Sequence, residues 1–356
     1  MKKDFGSDER SAVAAKSAAA ELAFAPVMFQ ASRALRDLGI LEALLDHEEE
    51  GRSLDELVLE RGLSRYGLSV LLDAGLSIGL VRMEAERFFL TKTGYFWIRD
   101  PMTRVNADFI NDVCYQGMFH LHEAIESGKP AGLRMFGDWP TIYSGVFELP
   151  DDVRQSWFAF EHYHSDRVFP AALPIVFANE PASILDIGGN TGKWALACTE
   201  HDPDVRVTIV DLPRQIEAAL DNAKAAGVGD RIDGVVVDLL DASQELPKNR
   251  DAIWMSQFLD CFSEPEIVSI LTRVRESMNA DSRVYILETY WDRQKFTASS
   301  YSLNGTSLYF TCLANGNSRM YHSEDMRDLI REAELEVEQE YDNLGVSHTL
   351  TICRKA

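Results

Sequence analysis

Cysteine is scarce. The 356 residues hold five, Cys114, Cys198, Cys261, Cys312 and Cys353, odd in number, widely scattered and without a C-x-x-C pair. Such spacing suggests neither a disulfide framework nor a zinc site, so no metal is expected and a reducing cytoplasm is the setting it suits. Basic residues are short as well: 35 Lys and Arg stand against 57 Asp and Glu, a net charge of −22. A nucleic acid, itself densely negative, would be repelled and is not expected as a partner. No stretch approaches the roughly 18 uninterrupted apolar residues of a membrane-spanning helix. The opening residues set acids directly behind lysines, where a signal peptide would have an apolar core. The expectation is a soluble chain that is not exported and makes no membrane contact. Internal repeats and low-complexity tracts are also lacking. What is present, 46% hydrophobic, 10% aromatic and 26% charged residues, is the composition of an ordinary globular protein. The length suits two domains, or one catalytic domain with a helical extension.

Alanines and large apolar residues recur at helical spacing over 11–45, with Pro26 and Gly39 as the expected breaks. Ser53 and Glu56 form a capping box that would start a short helix. Another helix follows from Ser64, and 80–90 reads as two strands around a charged turn. Three helices and a hairpin in this order resemble a winged helix. The helix after Ser64 carries one arginine and one aspartate among leucines, glycines and serines, so packing and subunit association suit it better than DNA reading. Residues 106–150 hold a further helix and a connection rich in glycine, proline and aromatics; an aromatic-rich helix spans 151–169.

Beyond Pro181 strands alternate with helices, the pattern of an open, mostly parallel sheet covered on both faces. Strands are expected at 183–187, 206–210, 231–238, 252–257 and 283–289, and helices at 191–200, 214–226, 264–278 and 324–334. The last two strands, 336–341 and 347–353, are joined too closely for a parallel crossover and must be antiparallel. The fold class is therefore α/β: a Rossmann-like, mostly parallel sheet with an antiparallel C-terminal hairpin, preceded by a mainly helical, winged-helix-like domain. The expected domains are 1–105, 106–175 as connecting helices, and 176–356.

Asp186-Ile-Gly-Gly-Asn-Thr-Gly192 follows a hydrophobic strand and opens a helix. Gly188, Gly189 and Gly192 there would let backbone approach a ligand at the carboxyl edge of the sheet, or serve only a tight strand-to-helix connection. Asn190 falls where positive φ is needed, which Asn tolerates. Asp211 ends the next strand about twenty residues on, where a carboxylate accepts hydrogen bonds from both ribose hydroxyls, or caps the helix near Pro213. Asp238 ends the third strand and could reach an adenine amino group, with Leu239 and Leu240 over the ring, or brace the following loop. The spacing G-G-x-x-G is not the G-x-G-x-x-G of dinucleotide sites. Asp186, two residues before the first glycine, would repel a diphosphate and suit a cofactor bearing an amino group and a sulfonium.

In combination and order, residues 184–192, Ile209-Val-Asp-Leu-Pro213, Val237-Asp-Leu-Leu240, the stretch 254–266 and residues 315–325 resemble the bacterial and plant small-molecule O-methyltransferase family. The resemblance covers nearly the whole chain. It implies a class I methyltransferase dependent on S-adenosyl-L-methionine, with a winged-helix-like dimerisation domain at 1–105, a homodimer, and a cofactor-binding domain at 176–356. The acceptor would be a hydroxyl or ring carbon of a small aromatic or polyketide-like molecule of secondary metabolism. The cofactor residues it implies are Gly188, Gly189, Gly192, Asp211 and Asp238, joined by Asp186, Asn190, Leu212, Leu239, Ser256 and Gln257 along the same strand ends. The acceptor would sit between the helices around 158–169 and 299–314, with Phe158, His162 and Tyr309 as candidate contacts; aromatic stripes of this kind also serve as core or dimer contacts.

The sequence departs from the family at the base. The family pattern His-x-x-His-Asp-Trp, whose second histidine deprotonates the acceptor, is replaced by Gln257-Phe-Leu-Asp260-Cys-Phe262. A phenol, with a pKa of about 10, benefits from deprotonation, and Asp260 would serve only if burial raised its affinity for protons. Three readings of Asp260 stand: a base or orienting acceptor, a structural residue beside the Ser263 to Glu266 capping box, or a sign of different chemistry such as C-methylation of a phenolic ring. Glu288, ending the fifth strand, and His162 or His164 are the other candidates for proton handling, and helical geometry lets at most one of the two histidines face the substrate. His322 precedes the expected N-cap Ser323. The rival functions are a ligand-sensing regulator that retains the fold without catalysis, and a nicotinamide-dependent oxidoreductase.

Overall fold

The computed structural model describes residues 8–356, and the chain divides into two compact units between Asp108 and Phe109. Lys2, Lys3 and Asp4, part of the start read above against a signal peptide, lie outside the described residues. In the N-terminal unit, α1 (Ala12–Asp37) begins at Ser11, whose hydroxyl accepts from the Ala14 N–H. It runs through Pro26 without the expected break. Proline removes one N–H donor, and the strongly helix-forming residues on either side carry the helix across on a solvent-exposed stretch. The break comes at Gly39, whose φ of +71° suits glycine and which caps α2 (Ile40–Leu45). By length and composition alone α1 is apolar enough to cross a membrane, which the sequence reading did not anticipate because isolated charges interrupt its apolar run. Val13, Leu22, Phe24 and Val27 on it are exposed.

The strand β1 (Arg52–Ser53) leads into α3 (Leu54–Arg61), where Ser53 and Glu56 form the expected reciprocal capping box, with hydrogen bonds of 3.3 and 2.7 Å. After α4 (Arg65–Ser77), β2 (Val81–Glu84) and β3 (Arg87–Leu90) make a hairpin, and β1 adds to β3. Leu35, Ile40, Leu44, Leu57, Leu68 and Leu72 form the core of this unit. Two further helices, α5 (Lys92–Arg99) and α6 (Pro101–Phe109), follow.

The second unit opens with α7 (Leu121–Ser127), α8 (Ile142–Gly145), α9 (Asp151–Ser165) and α10 (Phe169–Val176). The α9 helix stops short of the expected residue 169: Pro170 has no N–H to donate to Asp166, and Asp166–Val168 tighten into a 3-10 turn. Then come β4 (Ser183–Ile187), α11 (Lys193–His201), β5 (Arg206–Asp211), α12 (Pro213–Ala225) and β6 (Ile232–Val236). They are followed by β7 (Ala252–Ser256), α13 (Glu264–Ser277), β8 (Arg283–Glu288), α14 (Thr297–Tyr309), α15 (Ser323–Glu332), β9 (Leu335–Leu344) and β10 (His348–Lys355).

The sheet order is β6-β5-β4-β7-β8-β10-β9, parallel from β6 to β8, with β10 antiparallel to both neighbours as the short connection required. Its central strands β4, β5, β7 and β8 are largely apolar on both sides because both sides are covered, whereas the edge strands β6 and β9 are largely exposed. Leu185, Ile187, Met255 and Ile286 pack with α13 and α15, while Ile184, Ile209, Trp254 and Leu287 pack with α10 to α12. A third cluster joins α9 to α14 through Trp157, Tyr309 and Phe310. Two positions differ from the sequence reading. β6 ends at Val236, so Asp238 belongs to the turn after it. His322 is itself the N-cap of α15, its Nδ1 accepting from the Glu324 N–H at 3.1 Å.

Candidate active site

The strand order reverses at β4 and β7, and the carboxyl ends of β4, β5, β7 and β8 gather there, where open α/β sheets bind ligands. After β4, Gly188 at φ +72° donates its N–H to Val210 at 2.8 Å. A Cβ on it would lie 2.2 Å from the Phe258 ring, so this close approach admits only glycine. Asn190 takes a φ of +48°, and its N–H donates to Asp211 Oδ2 at 2.8 Å. The other Asp211 oxygen accepts from the Leu212 N–H at 2.7 Å, which ties the glycine turn to the end of β5. Burial pushes Asp211 up to about 6 against the pull of these two N–H groups. Gly189 lies against Asp186, and Gly192, at φ +79°, caps α11.

Asp186 is buried, pushed up to about 8 by that burial and then by Asp211, and its Oδ2 has no hydrogen-bond partner. Thr191 Oγ1 and Ser256 Oγ are also buried without partners. The Asp186 oxygen fits a ligand that brings N–H or O–H donors and positive charge and does not fit a diphosphate, which brings only acceptors, while the two hydroxyls can either donate or accept. Asp238 is exposed, its carboxylate accepting from the Leu240 N–H at 2.9 Å; Leu239 is buried and Leu240 exposed. A cleft of about 180 Å³ lined in part by Arg206, Arg231 and Arg250 lies at the opposite edge, by the amino ends of β4 to β6.

Beyond β7, Gln257 turns the chain at φ +47° and donates to the Leu287 carbonyl at 2.8 Å. Glu288 Oε1, at the end of β8, accepts from the Phe258 and Leu259 N–H groups at 3.0 and 2.8 Å. These bonds hold the 3-10 turn Leu259–Cys261, with Asp260 at its centre only 4% exposed. Burial pushes Asp260 up to about 7; burial and then Asp260 push Glu288 well above its ordinary value. Sequence reasoning missed Glu161 on α9, pushed up to about 8 by burial and then by Asp260. The available signal was an acid four residues after Trp157, hence on the same helix side, in a stretch otherwise read for its aromatics. Among the described residues, no group of three or more His, Cys, Asp and Glu side chains is arranged to hold a metal ion.

Residues 16–88 match the family model of the Dimerisation2-like domain, and residues 172–335 that of the O-methyltransferase domain. The chain belongs to the S-adenosylmethionine-dependent small-molecule O-methyltransferases. Bacteriochlorophyllide d C-20 methyltransferase of Chlorobaculum tepidum is 23% identical over 320 residues, 85% of this chain and 88% of its own. Phenazine-1-carboxylate N-methyltransferase of Pseudomonas aeruginosa is 29% identical over 166 residues, and this match spans 47% of each chain, about half the length of that relative. The crystal structure of the S-adenosylmethionine-dependent methyltransferase SibL in its apo form superimposes with a TM-score of 0.73 at 23% identity, covering 95% of this chain and 99% of that one.

In this methyltransferase, α9 presents two neighbouring sides. Trp157 Nε1 donates to the Tyr309 hydroxyl at 2.8 Å, and Glu161 lies one turn further on. On the adjacent side Phe158 stacks on His162, whose Nδ1 is 3.4 Å from Asp166. Tyr309 is buried in the cluster between α9 and α14. His164 packs on Phe160 and is pushed down to about 4 by burial and then by Arg167, so its imidazole is neutral; it acts on the fully buried His348. The structure thus brings Asp260 and Glu288 together with Glu161, and sets His164 beside His348.

Proposed function

We propose that the chain transfers a methyl group from S-adenosyl-L-methionine to a hydroxyl of a small aromatic or polyketide-like acceptor in secondary metabolism, as a homodimer. The observation that carries the donor site is the buried Asp186 beside the half-buried Asp211 at the glycine turn, with Asp186 Oδ2 unpartnered. When bound, the donor supplies a methyl on a sulfonium, whose carbon–sulfur bond breaks with its electron pair returning to sulfur. Asp211 would accept from the ribose hydroxyls on the lone pairs its two N–H bonds leave free. Leu212, Asp238 and Leu239 would hold the adenine, and Asp186, Ser256 and Gln257 the amino-acid end, beside backbone at Gly188, Gly189, Asn190 and Gly192.

Asp260 would orient the acceptor hydroxyl and take its proton as the oxygen attacks, while Glu288 fixes the turn that carries it. His164, neutral and half-buried, is a further proton-handling group, and Phe158, His162 and Tyr309 are acceptor contacts. Transfer to a ring carbon is the second reading, supported by the C-20 methyltransferase relative. The homodimer draws on the Dimerisation2-like match and on the exposed apolar side chains of α1, in a unit whose helices and hairpin follow a winged-helix order. A cytoplasmic setting is supported by five free thiols, and the absence of nucleic-acid and membrane partners by the acidic charge.

Asp211→Ala is expected to weaken S-adenosylhomocysteine binding by ~1.5–3 kcal/mol, roughly 10- to 150-fold by calorimetry. Unchanged affinity would remove Asp211 from the ribose site, and stabilisation of the wild type by NADH but not by S-adenosylhomocysteine would overturn the donor assignment. Asp260→Asn is expected to lower kcat about tenfold with donor affinity retained, because positioning remains when the proton acceptor is lost. Wild-type turnover in that variant would make Asp260 a structural residue.

A further inference from the structure

Six ionisable side chains gather around the turn that carries Asp260, and all six are acids. Asp260 stands on the turn and Glu288 behind it, and Cys261 Sγ lies 3.5 Å from Asp260 Oδ1. Glu161 reaches the group from α9, one turn beyond Trp157, whose hydrogen bond to Tyr309 pins that side of α9 to the end of α14. Cys261 packs against the same cluster as Trp157 and Tyr309, and so does Tyr143 from α8. Each of the six feels at least one of the others, and the ionisable groups acting on them are carboxyls, thiols and phenols throughout. Two polar atoms among them are buried without a hydrogen-bond partner: the Tyr143 hydroxyl, and Glu288 Oε2 on a residue only 1% exposed.

A carboxylate substituent on the acceptor would bring one more negative charge beside this half-buried to buried cluster of acids, where like charges repel strongly. An ammonium does the opposite. It gives donors to oxygens that lack them and lets carboxyls that now hold their protons ionise against a cation. The geometry points to an acceptor that carries a basic nitrogen, bound as its ammonium by Glu161 and Asp260, and against acceptors that carry a carboxylate. The assignment rests on the methyl-transfer reading of the same site. It separates this chain from the Pseudomonas aeruginosa relative, which is named for a carboxylate acceptor. The burial that pushes Glu161 up to about 8, with Asp260 beside it, agrees with it, since that carboxyl then holds its proton until a cation arrives.

The test uses the full chain saturated with S-adenosylhomocysteine and two probes that share a hydroxynaphthalene ring, one bearing an aminomethyl group and the other a carboxylate. Calorimetry at neutral pH is expected to show the aminomethyl probe binding at least about tenfold more tightly. E161Q should bring the two probes within about threefold of each other while S-adenosylhomocysteine affinity holds. Should E161Q fail to fold, D260N makes the same comparison. Equal or tighter binding of the carboxylate probe, binding of neither, or an intact preference in the variant overturns the assignment. So does a loss of S-adenosylmethionine affinity without loss of S-adenosylhomocysteine affinity in E161Q, which would give the acids to the donor's sulfonium. Failure of the methyl-transfer reading is visible separately, as a wild-type chain that does not bind S-adenosylhomocysteine at all.

Discussion

Replacing Trp254 by alanine is expected to destabilise the Phe109–Ala356 unit by ~3–5 kcal/mol, the range for a large aromatic removed from a packed core. The thermal midpoint should fall by about 6–20 °C. Trp254 is fully buried in the middle of β7, and its ring stacks on Trp194 at 3.8 Å and 11°. Phe169 meets Trp194 edge-on at 5.2 Å, so the loss opens a cavity between the sheet, α10 and α11. Neither indole N–H has a hydrogen-bond partner, so the cost is one of packing and cavity, not of a broken bond. Trp254→Phe should recover most of it. A double-mutant cycle with Trp194→Ala should return a coupling of ~0.5–1.5 kcal/mol for the stacked pair. Trp254 also lies beside Asp186 in register across β4 and β7, on the same face of the sheet. Its loss should therefore weaken S-adenosylhomocysteine binding in the protein that remains folded, and an unchanged thermal midpoint in Trp254→Ala would refute this account of the core.

How far the sequence could be read follows from which forces were local. Strand runs, the Ser53 capping box and the short link before β10 are set by neighbours in the chain, and they stand where the pattern puts them. Asn190 takes the positive φ that its place in the turn demands. Pro26 misled because a local rule about a missing N–H was outweighed by the helix-forming residues around it. The end of α9 at Ser165 was legible in principle from Pro170, but the aromatic pattern continues past it. Glu161 and Asp260 lie far apart in sequence, and only the packing of the turn after β7 into the cluster between α9 and α14 brings them together. No periodicity reports that. The same holds for the Phe258 ring over Gly188, a contact between two loops that fixes a glycine already explained by its backbone angle. Asp260 itself was legible as a departure from a pattern, whereas its burial and its neighbours belong to the folded chain.

Those neighbours set the second large effect, a loss of ligand-free stability as pH rises from about 6.5 to about 8. In the unfolded chain Asp and Glu release their protons at about 4. In the folded chain Asp186 and Glu161 hold theirs up to about 8, Asp260 to about 7 and Asp211 to about 6. All four are raised, so between these limits the folded state binds more protons than the unfolded one, and stability falls as pH rises. Their full contribution is present below about pH 4 and is gone above about pH 8. His164 and His348 act in the opposite sense: burial lowers them to about 4 and about 3, so they remove stability as pH falls below about 6.5. The two effects oppose each other from about pH 4 to 6.5, but four carboxyls outnumber two imidazoles, so stability already falls there as pH rises. Above 6.5 the carboxyls act alone, each proton held in excess costing ~1.4 kcal/mol per pH unit. Differential scanning fluorimetry across pH 5 to 9 should show a fall that continues through pH 6.5 and levels off above about pH 8, and Asp186→Asn should reduce its slope by removing one of the groups that makes it. Donor binding should cancel part of the loss, because a cation beside Asp186 expels its proton. Calorimetry in buffers of different ionisation enthalpy should then record proton release on binding, and affinity should rise over the same pH range. A thermal midpoint that stays level or climbs from pH 6.5 to 8 would mean that these carboxyls are already ionised in the folded protein.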